Sequence, residues 1–261
     1  MDSVRLVQIT DLHILADDNA SLSGVNPHQS LSRVIDDIKS LSPAPGLVIA
    51  SGDLADDGST EAYRRLRRLL LELPCAVYVM AGNHDETEVM HEELPGENIV
   101  FQRRVDCENW KLLLVDSKLP GSSFGFISDE EFDWLDQQLS EEDGRPVLLA
   151  MHHTPLRLCA SPSCQVKNAD AFLSKIKNFN RVKGLIAGHT HNQVDQTHGD
   201  LRIMTTPSTM VQVTHNQIEA IKSNEEFWHF HEADTSRHGY RIVDLNADGS
   251  FESEVRWVPG V

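Results

Sequence analysis

The feature that most constrains this chain is a set of histidine, aspartate and asparagine residues placed directly after five of its short apolar runs. The set comprises Asp11 and His13 after the first run, Asp53 after the second, Asn83, His84 and Asp85 after the third, His152 and His153 after the fifth, and His189 and His191 after the sixth. Several of these runs are apolar at successive positions, which is typical of strands buried on both faces. Sites in α/β sheets are usually built at the carboxyl ends of strands, so these distant segments predict one shared polar site.

The apolar runs alternate with amphipathic helical patterns. Predicted core strands cover 4–10, 47–51, 76–81, 112–115, 147–151 and 184–187, and predicted helices cover 27–41, 61–73, about 129–139 and about 169–178. Asn26 before Pro27, and Ser128 with Glu131, are helix-start signals. After residue 190 the pattern favours strands at 193–197 and 201–205 and a terminal hairpin over 240–258. No repeat or linker marks a boundary, so we predict one α/β domain over 1–261, with two packed sheets flanked by helices.

Charge and hydropathy exclude several classes of protein. The 40 acidic and 23 basic residues give a formal charge of -17, which disfavours nonspecific binding to nucleic acid. No apolar stretch approaches the length of a membrane-spanning helix, and Met1–Thr10 lacks the layout of a signal peptide. We therefore predict a cytoplasmic protein with neither a membrane nor a nucleic-acid partner, in which part of the acidic excess is ligand charge.

The four cysteines form no C-x-x-C pair and are too few for a disulfide framework. We interpret them as reduced thiols, with Cys75 and Cys107 acting as small buried apolar residues. Because Cys159 and Cys164 share one loop, a pair or an accessory metal ligand stays open for these two.

Other polar residues receive structural interpretations. His153 would point away from its neighbour His152 in an extended segment, which favours a structural role. Asp85 is expected to hold its turn or to orient a ligand imidazole. The His229 and His231 pair is interpreted as structural or surface. Solvated loop charges are expected at Asp17, Asp18, Asp56 and Asp57.

Five motifs follow one another along the chain and together form a specific pattern: Asp-x-His, Gly-Asp, Gly-Asn-His-Asp, His-His and Gly-His-x-His. This pattern resembles that of the calcineurin-like metallophosphoesterase superfamily over residues 5–191. Segments 8–13, 22–26, 206–209 and 239–258 are similar to its CpdA-type branch, the class III 3',5'-cyclic-nucleotide phosphodiesterases. The resemblance implies a four-layer αββα sandwich of two mixed sheets flanked by helices. The ligand motifs would lie within 5–191, followed by a strand-rich C-terminal cap and hairpin over 192–261.

The resemblance also implies two divalent metal ions per chain. The first would be bound by Asp11, His13, Asp53 and His191, and the second by Asp53, Asn83, His152 and His189. Asp53 would bridge them. Mixed imidazole, carboxylate and amide ligands suit Fe, Mn, Zn or Co better than Ca or Mg, and we favour Fe2+ and Mn2+.

The same resemblance assigns roles around the substrate. His84 would contact the phosphate and protonate the leaving oxygen as general acid, so His84 and Asp53 are the predicted catalytic residues. The predicted substrate-binding residues are His13, Asp53, Asn83, His84 and His191.

Three functions fit this sequence. The leading hypothesis is hydrolysis of 3',5'-cyclic AMP to 5'-AMP by a metal-bridging hydroxide, since two cations can generate hydroxide and neutralise charge on phosphorus. The second keeps that chemistry for glycerophosphodiesters, 2',3'-cyclic nucleotides or phosphomonoesters. The third is a noncatalytic binding module without metals. A homodimer is common among such relatives.

Overall fold

The computed structural model describes residues 3–222 and 233–260, and their strands form two sheets. The strands are β1 (Val4–Ile9), β2 (Leu47–Ser51), β3 (Ala76–Met80), β4 (Ile99–Val100), β5 (Arg104–Cys107), β6 (Trp110–Val115), β7 (Val147–Met151), β8 (Val182–Ala187), β9 (Val194–His198), β10 (Leu201–Thr205), β11 (Arg237–Leu245) and β12 (Phe251–Pro259). The helices are α1 (Pro27–Lys39), α2 (Thr60–Leu70), α3 (Thr87–Glu93), α4 (Asp129–Leu139), α5 (Ala169–Ile176) and α6 (His215–Glu219), with a 3-10 turn at Pro162–Cys164.

Both sheets are mixed. The first has the strand order β12-β11-β1-β2-β3-β4, and the second has the order β5-β6-β7-β8-β10-β9. At their centres, β1, β2 and β3 run parallel, as do β6, β7 and β8. The carboxyl ends of neighbouring strands therefore lie together at one edge of each sheet.

Alternation along the strands explains the layers. Leu6 and Ile49 belong to a core shared with the second sheet, whereas Val7 and Val48 belong to a core shared with α1 and α2. Helices α4 and α5 contribute side chains such as Phe172 to the core of the second sheet. This arrangement confirms two mixed sheets flanked by helices.

Most predicted elements are confirmed, with ends shifted by one to a few residues, including the terminal hairpin of β11 and β12. Sequence analysis did not predict α3, β4, β5 or α6, which are short elements with little apolar periodicity. The single domain over 1–261 stays a prediction. The His229 and His231 pair lies outside the described residues. No helix within 3–222 and 233–260 is long and apolar enough to cross a membrane.

The cysteine prediction is wrong for one pair. Cys159 and Cys164 form a disulfide, with their Cα atoms 6.3 Å apart. The 3-10 turn brings Cys164 back towards Cys159 in a way that spacing along the chain did not reveal. Cys75 and Cys107 are free thiols, half-buried rather than fully buried.

Candidate metal centre

The structure brings all seven predicted metal ligands and His84 together at the carboxyl edges of the two sheets. Asp11 and His13 follow β1, Asp53 follows β2, Asn83 and His84 follow β3, His152 follows β7, and His189 and His191 follow β8. Potential ligand atoms of the histidine and aspartate side chains fall into overlapping clusters, within each of which all atoms lie within 4.8 Å of one another, and Oδ1 of Asn83 lies 3.2 Å from Nε2 of His152. The segments that the sequence placed at strand ends therefore converge, while the role of each as a ligand stays a prediction.

Five of these residues have left-handed backbone conformations. The φ angles are 54° at Asp11, 46° at His13, 47° at Asp53, 70° at His189 and 48° at His191. Such conformations cost about 1–3 kcal/mol each in a non-glycine residue and persist where the surrounding structure enforces them. Strain is thus concentrated where the candidate ligands leave their strands.

Two glycines make room for these turns. Gly52 has a φ of 96°, and a Cβ there would lie 2.4 Å from Nδ1 of His152. A Cβ on Gly82 would lie 2.2 Å from Oδ1 of Asp53. Both positions need glycine because side chains of candidate ligands pack directly against the backbone.

We call Asp11, His13 and His191 the first half of the centre. Nε2 of His13 lies 3.2 Å from Nε2 of His191, which lies 3.4 Å from Oδ1 of Asp11. His13 donates its Nδ1 hydrogen to Oδ1 of Asp56 at 3.0 Å, and His191 donates its own to the Val211 carbonyl at 3.1 Å. When both rings are neutral, each directs a lone pair on Nε2 at the other, an arrangement that a cation between them stabilises.

We call Asn83, His152 and His189 the second half. His152 donates its Nδ1 hydrogen to the Ser51 carbonyl at 2.9 Å, so Nε2, which lies 3.2 Å from Oδ1 of Asn83, is the atom that could bind a cation once it is deprotonated. His189 donates its Nε2 hydrogen to the Ser163 carbonyl at 2.7 Å, which leaves Nδ1 as its ligand atom.

Asp53 lies between the halves. Its Oδ1 accepts the backbone N–H of His84 at 2.9 Å. Its Oδ2 is buried, accepts no hydrogen bond from residues 3–222 or 233–260, and lies 3.3 Å from Nε2 of His152 and 3.8 Å from Nε2 of His13. A buried carboxylate oxygen between the Nε2 atoms of His152 and His13 fits a position between two cations. The mixed nitrogen and oxygen donors suit transition metals.

His84 is the most exposed imidazole of the centre, with 24% of its side chain accessible. It donates its Nδ1 hydrogen to the Asp56 carbonyl at 2.9 Å, and the Asp56 carboxylate is 3.6 Å away.

The prediction that Asp56 is a solvated loop charge is wrong, because Asp56 contacts both His13 and His84. Its position three residues after Asp53, on the same turn, was the available signal. Asp17, Asp18 and Asp57 are exposed, as expected.

His153 also differs from expectation. It is fully buried and its ring points into the second half, where Nε2 lies 3.1 Å from Oδ1 of Asn83. Its Nδ1 lies 3.0 Å from the Ser117 hydroxyl, which also accepts the backbone N–H of His153 at 3.2 Å. Because β7 ends at Met151, the rule of alternating directions no longer applies at His153.

Asp85 holds the turns, as expected. Its carboxylate accepts backbone N–H groups of Leu54, Ala55 and Gly82 and the hydroxyl of Tyr63. Burial and the nearby Asp53 carboxylate raise the pKa of Asp85. Among the described contacts, none joins Asp85 to a ligand imidazole, so its function is to tie together the turns after β2 and β3.

The histidines of the candidate centre differ in the direction in which their pKa values are shifted. Burial lowers the pKa of His152, but the Asp53 carboxylate outweighs burial and raises that pKa to about 9. The pKa of His13 is also raised, against burial, by Asp56 and Asp53. Burial, reinforced by His152, lowers the pKa of His189 to about 4, and burial with both neighbouring rings lowers the pKa of His153 well below its usual range. Carboxylates therefore favour the protonated forms of His13 and His152, whereas burial favours the neutral forms of His189 and His153.

Comparison with known proteins agrees with this geometry. The family described as calcineurin-like phosphoesterase matches residues 4–193. The 3',5'-cyclic adenosine monophosphate phosphodiesterase CpdA of Pseudomonas aeruginosa is 32% identical, over 99% of this chain and 92% of that protein. Its namesake from Escherichia coli K12 is 33% identical, over 97% of this chain and 89% of that protein. The crystal structure of a dimetal phosphatase from Danio rerio has the same fold, with a TM-score of 0.64, 15% identity and full coverage of both chains.

Proposed function

This chain belongs to the calcineurin-like phosphoesterase family, and on that premise we propose that it hydrolyses 3',5'-cyclic AMP to 5'-AMP. The observation that supports the proposal is the buried Asp53 carboxylate, whose Oδ2 lies 3.3 Å from Nε2 of His152 in the second half and 3.8 Å from Nε2 of His13 in the first. The substrate follows from relatives named as cyclic AMP phosphodiesterases that align with nearly all of this chain.

Two divalent cations would be held by the two halves of the centre. Asp11, His13 and His191 would bind the first, Asn83, His152 and His189 the second, and Asp53 both. When bound, such a pair supplies positive charge to the phosphoryl oxygens and lowers the pKa of water, so that hydroxide can attack phosphorus near neutral pH. Fe2+ or Mn2+ suits these mixed ligands.

His84 would act on the substrate itself. The Asp56 carbonyl accepts its Nδ1 hydrogen, so Nε2 is the atom presented towards the phosphate. A hydrogen on Nε2 can bond a phosphoryl oxygen and pass to the leaving 3'-oxygen as the P–O bond breaks. The Asp56 carboxylate, 3.6 Å from Nδ1, balances the charge of the ring while it carries both hydrogens. Asn83, His13, Asp53 and His191 complete the proposed substrate-binding set.

Substrate choice is the part of the proposal that the metal ligands do not determine, because they would act on any phosphodiester in the same way. Glycerophosphodiesters, 2',3'-cyclic nucleotides and phosphomonoesters are therefore the competing substrates, and a metal-free binding module is the competing noncatalytic function. We also propose a cytoplasmic location. The predicted homodimer and the lack of a nucleic-acid partner stay predictions.

The experiment compares turnover of 3',5'-cyclic AMP, bis(p-nitrophenyl) phosphate and glycerophosphocholine by protein reconstituted with Mn2+ or Fe2+. We expect the highest kcat/KM for cyclic AMP. A kcat/KM for cyclic AMP below that for the generic diester would contradict the nucleotide assignment. Fewer than one metal ion per chain, with no diesterase activity, would favour the noncatalytic module.

A further inference from the structure

The disulfide lies beside the second half of the metal centre. Cys159 and Cys164 are in the segment between β7 and α5, and both are buried, with 7% and 0% of their surfaces exposed. The other two cysteines, Cys75 and Cys107, have pKa values raised to about 11 by burial, which makes them poor nucleophiles. Thiol–disulfide chemistry in this protein is therefore concentrated at one pair.

The disulfide closes the chain from Cys159 to Cys164 into a short ring, and this ring is hydrogen-bonded to a candidate ligand. Between the two cysteines lies Ser163, whose carbonyl accepts the Nε2 hydrogen of His189 at 2.7 Å. The turn that presents this carbonyl is closed by local hydrogen bonds, from Ser163 N–H to the Ser161 hydroxyl at 3.2 Å and from Gln165 N–H to the Pro162 carbonyl at 3.3 Å. The disulfide adds the only covalent closure of this turn, and so limits how far the Ser163 carbonyl can move.

The position of this carbonyl matters because it fixes the tautomer and the orientation of the His189 ring. Partners of this kind typically change metal affinity by about 10–100-fold when they are lost. Disulfides are rare where thiols are kept reduced, and in such compartments they are usually catalytic or redox-sensing. The proposed cytoplasmic location thus makes an ordinary structural disulfide an unexpected feature at this place.

We propose that Cys159 and Cys164 form a redox modification site that controls how tightly His189 holds the second cation. The disulfide form fixes the Ser163 carbonyl and favours binding, and the dithiol form loosens it. This inference rests on the proposed function to the extent that it requires a cation in the second half of the centre.

The chemical step is thiol–disulfide exchange with a small dithiol. One thiolate of the dithiol attacks Sγ of Cys159, the more exposed residue of the pair, and the Cys164 sulfur leaves as a thiolate and takes up a proton. The second thiol of the reagent then displaces Cys159. The reagent ends as a cyclic disulfide, the protein gains two thiols, and glutathione disulfide reverses the change.

The test measures Mn2+ affinity rather than turnover. Metal-depleted protein is prepared oxidised, or reduced with dithiothreitol and desalted anaerobically, and free Mn2+ is followed by electron paramagnetic resonance. The binding step that disappears in His189→Ala identifies the second cation. We expect its Kd to rise about 10-fold or more on reduction. The double variant Cys159→Ser/Cys164→Ser should match the reduced protein in any redox state.

Controls separate this effect from general unfolding. The variant Cys75→Ser/Cys107→Ser keeps the pair and should respond to reduction like the wild type. Alkylation followed by mass spectrometry counts the thiols opened in the folded protein, and circular dichroism reports the fold. If the double serine variant fails to fold, the oxidised and reduced wild type decide the question alone.

Two results would overturn the proposal. One is a Kd for the second cation that agrees within 2-fold between oxidised and reduced protein, and the other is a disulfide that dithiothreitol cannot open while the protein stays folded. Failure of the proposed function has a different signature: Mn2+ affinity would respond to reduction in a protein that does not hydrolyse cyclic AMP. Hydrolysis of cyclic AMP without any redox response would refute the redox site alone.

Discussion

The two halves of the candidate metal centre are built differently. All three residues of the first half, Asp11, His13 and His191, have left-handed backbone conformations, and the acidic side chain of Asp56 orients one of them. In the second half only His189 has such a conformation, and the carbonyls of Ser51 and Ser163 orient the rings. The first half combines carboxylates with strain, whereas the second combines imidazoles with neutral partners.

This difference indicates which imidazoles of each half favour a proton when no cation is bound. Carboxylates raise the pKa of His13, so protons can replace a cation in the first half. Burial lowers the pKa of His189, and His153 brings a further neutral ring to Asn83. His189 therefore keeps its Nδ1 lone pair available, whereas His152 must lose the proton that Asp53 stabilises before it can bind a cation.

The strongest way to break the comparison is to remove the group that both halves share. Asp53→Ala should reduce kcat/KM by on the order of 10³-fold or more, because both halves then lose their common ligand. This loss exceeds the roughly 10–100-fold that is typical when a residue that only hydrogen-bonds to a metal ligand is removed.

His84→Ala should reduce kcat/KM by less than Asp53→Ala does. It should slow hydrolysis of cyclic AMP more than hydrolysis of bis(p-nitrophenyl) phosphate, since p-nitrophenolate leaves without protonation. The measurement is kcat/KM for both substrates, together with metal content.

Asp53→Ala protein that retained two bound metal ions and most of its turnover would refute the shared carboxylate. Equal losses for both substrates in His84→Ala would make His84 a binding residue and not a general acid.

A matched pair of variants would sharpen the comparison at intermediate effect. Asp56→Asn removes the carboxylate charge that contacts Nδ1 of His13, and His153→Ala removes the ring that contacts Asn83. We expect each variant to weaken one cation by about 10–100-fold, the first cation in Asp56→Asn and the second in His153→Ala. Stepwise Mn2+ titration distinguishes the two binding steps.

His153→Gln should recover part of the loss, because its amide can still donate towards Oδ1 of Asn83. His198→Ala, which changes an exposed histidine on β9, is the control and should leave both binding steps unchanged. Loss of the same cation in Asp56→Asn and His153→Ala would show that the halves do not act separately.

The smallest expected effect is on the pH dependence of stability in metal-depleted protein. The pKa of His152 is about 9 in the folded protein and about 6.5 when unfolded. Its protonated ring therefore stabilises the fold fully below pH 6.5, and this contribution is lost as the pH rises towards 9. The difference between these pKa values corresponds to about 3 kcal/mol, and so to a fall in Tm of roughly 6–12 °C across that window for a chain of this size.

Thermal melts between pH 6 and 9.5 measure this effect. His152→Gln should show a smaller fall, and metal-loaded wild type should show little, because a cation replaces the proton beside Asp53. Parallel curves for metal-depleted wild type and His152→Gln would contradict the assigned proton.

Much of the fold and of the candidate site could be predicted because their signals are local. Apolar runs such as 47–51 must be buried, and the residues that follow them must emerge at a sheet edge, so Asp53 could be placed without any tertiary information. The ordered motifs then led to the family that the comparison identifies. The short elements α3 and β5 carried no comparable pattern.

What the sequence alone determined was the set of residues that meet, since strand direction and alternation follow from the chain itself. Only the tertiary structure decided which further residues contact that set. Asp56 and His153 contact candidate metal ligands, and Cys159 bonds Cys164, because turns and crossing segments bring them within a few ångströms. Such distances depend on the backbone direction after each strand has ended, where no periodicity constrains it.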